Sequence, residues 1–192
     1  MRPTPGAFIR MGLLLLFAVI LQVSAFSQMG LAGGHVDVVV LAVAATAYFA
    51  GSIPGSAAGF AAGFLLDLAT GATMGASSLV LTAVGYGVGR FREVRDPSHG
   101  LLPVLVTAAA TAGWVVSFAI VSFMLDVGAT VSALVIRDMV ITVILNSLLA
   151  LPVFAGIRRL LRPALTTDPL ELRRRRRAPQ ATGPLGLRGL EI

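Results

Sequence analysis

The fifteen arginines of this 192-residue chain fall in a pattern that few folds can accommodate. Arg2 and Arg10 precede a long apolar run, and Arg90, Arg92 and Arg95 stand together in RFREVRD. Arg158, Arg159, Arg162, Arg173, Arg174, Arg175, Arg176, Arg177 and Arg188 crowd the C-terminal end, and only Arg137 stands apart. The chain between these clusters is apolar. With 12% charged residues against 56% hydrophobic ones, it has about half the charge of a soluble domain. It cannot cover a water-facing surface with polar groups, and lipid is the solvent that fits.

About 20 apolar residues cross a bilayer core as a helix. Six segments qualify: 8–28, 36–52, 54–72, 74–90, 101–125 and 131–157. GSIPG and TGATMG divide the second, third and fourth, where Gly and Pro favour tight turns over continuous helix. The links FSQMGLAGGH, TGATMG and DVGATV carry no arginine. Six crossings, and not five, put every cluster on one side, which the positive-inside rule makes cytoplasmic. The expected fold is an all-α integral membrane protein, a six-helix transmembrane bundle with N and C termini cytoplasmic. Residues 1–10 form the cytoplasmic N-terminus, 11–157 the bundle and 158–192 a basic, mostly disordered tail. One rival concerns MRPTPGAFIRMGLLLLFAVILQVSA, which also has the layout of a secretory signal. Cleavage there would leave five spans in the same orientation. The absence of cysteine excludes disulfides and thiolate metal sites.

GSIPGSAAGFAAGFLLD places Gly51, Gly55, Gly59 and Gly63 at every fourth position and ends the series on Asp67. Small residues at this spacing let helix backbones approach closely in lipid, so the third span is expected to be the inner helix. Each step overshoots a turn by about 40°, and the row can therefore serve more than one neighbour. Pro54 fits the first turn. A carboxylate in the outer half of a span costs a few kcal/mol unless paired, hydrated or protonated. Asp37, Arg137 and Asp138 fall in the same outer layer, and Asn146 is a further polar residue within the last span. An Arg137–Asp67 ion pair, with Asp37 as an optional third member, would fix the third span against the sixth. The bland alternative leaves Asp37 and Arg137 hydrated near the interface. A proton relay is conceivable, but no residue favours it over a structural role.

Catalysis finds little support. His35 and His99 read as loop residues near opposite faces, and GASSL at 75–79 lacks the second glycine of a nucleophile elbow. No zinc-protease, phosphate-loop or nucleotide motif is present. No enzyme activity, metal, cofactor or nucleic-acid partner is expected.

Together, HVDVVVLAV, GSAAGFAAGFLLDL, MGASSLVLTAVGYGVG and VILNSLLALP resemble, in order and spacing, the MreD family of bacterial rod shape-determining membrane proteins. Gly55, Gly59, Phe60, Gly63, Asp67, Gly75 and Leu79 occupy the places of its central pattern, which makes Gly75 a further candidate packing position. The likeness covers roughly residues 10 to 160. Val36 stands where the family usually has proline, and the Arg-rich tail is longer than the family needs.

The resemblance implies a non-enzymatic member of the cell-elongation machinery in the bacterial cytoplasmic membrane. Its partners there would be MreC, the filament protein MreB, the glycosyltransferase RodA and a class B penicillin-binding transpeptidase. It also implies a fold similar to the S components of energy-coupling-factor vitamin transporters, which supplies the alternative function of small-molecule uptake. Such a pocket would lie in the layer of Asp37, Asp67 and Arg137. The outer links are short and dominated by Gly, Ala and Thr, and Trp114 lies mid-span, so scaffold is the preferred reading. The basic residues from Arg158 to Arg177 either fix topology, lie on anionic lipid or meet an acidic partner.

Overall fold

The computed structural model describes residues 5–26, 34–71, 73–94, 102–124 and 133–165. These form six helices: α1 (Pro5–Leu21, extended by a π-helical turn, Gln22–Phe26), α2 (Val38–Ala50), α3 (Ser52–Thr70), α4 (Ala76–Val94), α5 (Leu102–Met124) and α6 (Ala133–Leu165). Successive helices run up and down, so the start of α1, the α2–α3 junction, the end of α4 and the end of α6 share one end of the bundle. Among the described residues, three stretches are long and apolar enough to cross a membrane: Ser52–Thr70, Leu102–Val121 and Leu134–Leu160. Ile9–Ser24 and Val38–Ala50 are apolar but shorter.

The inner helix is α2. It packs against all five of the others, and those five close a ring round it in the order α1, α3, α4, α5, α6. Every residue from Val39 to Tyr48 is buried, as befits a helix apolar on all sides. At 13 residues it is only about 20 Å long, so one of its ends must lie below the level reached by its neighbours.

The expectation that the third span would be innermost is thus corrected. On α3, Ser52, Gly55, Ala58, Gly59, Ala62, Gly63 and Asp67 are buried, while Ile53, Phe60, Phe64 and Leu68 face outward. Glycine marks the side that meets one close neighbour, and the bulky residues on the opposite side suit lipid. Outward-facing Leu13, Phe17, Leu105, Ile120, Ile144 and Leu148 continue this apolar exterior round the ring. A chain with a polar-poor core and an apolar outside is a helical membrane protein.

Two boundaries also differ from expectation. The α2–α3 turn is a single residue, Gly51, with φ +97°, a left-handed value that glycine adopts at no steric cost. α6 continues through Arg158, Arg159 and Arg162 to Leu165, so the first part of the expected tail is helical. Arg173, Arg174, Arg175, Arg176 and Arg177 lie outside the described residues, as does His99.

Candidate functional site

The most extensive helix contact joins α3 to α4, and glycine on both sides makes it. A Cβ added to Gly59 would run into the Leu81 carbonyl, and one on Gly63 into the Ser78 backbone. From the facing helix, a Cβ on Gly85 would meet the Gly55 carbonyl and one on Gly89 the backbone of Ser52. Gly55 serves two neighbours: its Cβ would lie 2.6 Å from Ala47 Cβ on α2 and 2.7 Å from the Gly85 carbonyl oxygen on α4. Backbones this close gain dispersion and carbonyl contacts that larger side chains would prevent. Ser78 Oγ adds a hydrogen bond to the Phe60 carbonyl at 3.1 Å.

Each end of this seam is closed by a carboxylate from one helix on the N-terminus of the other. Asp67, near the end of α3, is 1% exposed. Its Oδ2 accepts the Gly75 N–H at 2.8 Å and its Oδ1 the Ser77 N–H at 3.2 Å. A helix start has unsatisfied N–H groups and a positive dipole end, so a buried carboxyl group placed here finds donors and the donors find an acceptor. At the other end, Glu93 Oε1 accepts the Ser52 N–H at 2.8 Å and the Ser52 hydroxyl at 2.7 Å. Glu93 Oε2 faces Arg90 at 3.4 Å. The Ser52 N–H, followed by its hydroxyl and by Arg90, holds the Glu93 carboxyl below its ordinary range.

A second polar group surrounds the start of α2, where the short helix ends inside the bundle. Thr142 Oγ1 accepts the His35 N–H at 3.1 Å, and Asn146 Oδ1 accepts the Asp37 N–H at 3.0 Å. Gln22, from the π-helical turn, accepts the Val38 N–H at 2.7 Å and donates to Asp37 Oδ1 at 3.3 Å. Asn146 Nδ2 in turn donates to Thr111 Oγ1 on α5 at 3.2 Å. The Trp114 side chain lies near the Asp37 carboxylate. Three side chains from other elements thereby satisfy half-buried backbone donors around this helix start.

The expected polar residues are therefore split between two places. Asp37 and Asn146 come together at the start of α2, whereas Asp67 sits at the start of α4. The expected Arg137–Asp67 pair is corrected: α3 and α6 share no contact among the described residues, and both Asp67 oxygens are engaged by α4. Arg137 is exposed and Asp138 half-buried on the first turns of α6. Gly55, Gly59 and Gly63 are packing positions, but Gly51 and Gly75 are turn residues with φ +97° and +95°. Gly75 has open space where a side chain would go.

Gly85 and Gly89, which the same four-residue spacing could have found, escaped the sequence reading, as did Ser52 as the start of α3. Glu93, Gln22, Thr111 and Thr142 give no such signal, because their partners are backbone groups or residues far away in sequence. Trp114 had read as a mid-span residue apart from the outer layer, yet its side chain reaches that layer.

A ring of helices round a buried one, with polar side chains such as Asp67 and Gln22 bound to helix starts, defines a helical membrane protein. Among known families, the model described as rod shape-determining protein MreD matches residues 4–163. The chain belongs to the MreD family. Neither the curated proteins nor the solved structures give a match.

Proposed function

We propose that this chain is a non-catalytic membrane scaffold of the cell-elongation machinery, acting with MreC, MreB, RodA and a class B penicillin-binding transpeptidase in lateral peptidoglycan synthesis. It crosses the bacterial cytoplasmic membrane six times, with both termini and the Arg90–Arg95 turn in the cytoplasm. The family match over residues 4–163 carries this reading.

The employment of the buried polar groups supports scaffold over transporter. Asp67, Asn146 and Gln22 bind backbone N–H groups, and Asp37 is held by Gln22. A ligand entering that layer would have to displace bonds that hold α2 and α4 in place. The similarity to S components of energy-coupling-factor transporters stays an expectation from the family alone.

Depletion in the native cell tests the proposal. Rounded cells with wall synthesis no longer confined to its normal pattern are expected. Normal shape combined with loss of vitamin uptake would replace the scaffold by the transporter.

A further inference from the structure

The ring is least tightly closed where α1 meets α6. Near the end of the bundle that carries both chain termini, this seam opens into a hollow of about 510 Å³ lined by Arg10, Leu13, Leu14, Phe17, Arg159 and Leu160. Gly12 on α1 and Gly156 on α6 also have open space at their Cβ positions. The seam that holds α3 to α4 leaves no such room.

The chemistry of the lining is graded along the membrane normal. Arg10 and Arg159 stand toward the terminal end, one on each wall. Leu13, Leu14 and Phe17 follow over the next two turns of α1 toward the bundle centre. Among the described residues, no carboxylate lines the hollow. A second hollow, of about 430 Å³, lies against Pro152, Ala155, Gly156, Arg158 and Arg159, so Arg159 borders both. Two guanidinium groups can hold a phosphate through paired hydrogen bonds, and basic recesses between membrane helices suit anionic headgroups.

We propose that the α1–α6 hollow binds one anionic phospholipid, its phosphate between Arg10 and Arg159 and one acyl chain along Leu13 and Phe17. A free phosphate would leave the apolar wall bare, and a neutral lipid would leave the two charges without a partner. The site lies on folded helix, and Arg159 is the one member of the C-terminal basic run that lines it among the described residues. It rests on the membrane setting of the bundle and not on the shape-determining role, so each can fail alone.

The test uses the purified full chain in phosphatidylcholine nanodiscs, titrated with phosphatidylglycerol, with retained lipid counted by native mass spectrometry. One phosphatidylglycerol per chain is expected to outlast phosphatidylcholine. Arg10→Gln and Arg159→Gln should each weaken retention roughly fivefold, and together about thirtyfold. Leu13→Trp, which keeps both charges but fills the exposed wall, should weaken it as well. Replacing Arg173, Arg174, Arg175, Arg176 and Arg177 with Gln should leave this lipid in place. Equal retention of the two lipids by the unaltered chain would overturn the proposal. So would retention unaffected by the double Arg variant, equal loss from the tail variant, or displacement of the lipid by millimolar inorganic phosphate.

Discussion

The starts of α4 and α2 solve one problem in opposite ways. Both carry an aspartate, and both lie at the end of the bundle away from the termini. At α4 the aspartate comes from the neighbouring helix and is itself the cap: Asp67 binds the N–H groups of Gly75 and Ser77. At α2 the aspartate occupies the capping position, yet its side chain makes no capping bond. Gln22 binds the Val38 N–H instead, and Asn146 and Thr142 hold the Asp37 and His35 N–H groups just before the helix. An acidic residue at a helix start is thus no guide to its role. What counts is whether the carboxylate or its backbone N–H is the group being satisfied.

Four measurements sharpen or break this contrast, each read as unfolding stability in detergent. The largest effect is expected for Gly59→Leu, because the seam holds the start of α4 beneath Asp67 and the new side chain meets the Leu81 backbone. A loss of at least about 3 kcal/mol is expected. Gly87→Leu on the open face of α4 should change stability by no more than about 0.5 kcal/mol. Next, Asp67→Ala should cost about 3 kcal/mol by stranding one buried and one half-buried donor, against about 1 kcal/mol for Asp37→Ala. Equal losses would erase the distinction between the two aspartates. Third, Asn146→Leu should cost about 2 kcal/mol, since it unpairs the Asp37 N–H and the Thr111 hydroxyl. A neutral outcome would show that α2 does not depend on its borrowed caps.

The smallest effect concerns Glu93, whose carboxyl is held below its ordinary value. A carboxyl of lowered pKa contributes stability above its unfolded value, about 4.5, and loses it as pH falls through the folded value. Titration from pH 5 downward should therefore destabilise the unaltered chain more steeply than Glu93→Gln. Parallel curves would remove Glu93 from the set of helix-end clamps.

The number of helices was readable because apolar runs and Gly-Pro breaks are local. Which helix sits in the middle was not. A helix touching five protein neighbours and a helix touching lipid are both apolar, and hydropathy cannot separate Val38–Ala50 from Leu102–Val121. The ladder at Gly55, Gly59 and Gly63 announced a close contact, but spacing does not name the partner. It also does not tell a packing glycine from a turn glycine, as Gly51 and Gly75 demonstrate. Asp67 was legible as a buried charge needing compensation. Its compensation came from backbone N–H groups, which every residue but proline possesses and which no side-chain pattern advertises, so the search for a partner turned to Arg137.

A double-mutant cycle on Asp67→Ala and Arg137→Leu tests the central claim most directly. If Asp67 is held by the start of α4, the two losses should add to within about 0.5 kcal/mol. A coupling of about 1.5 kcal/mol or more would place Asp67 and Arg137 in one ion pair and contradict the account.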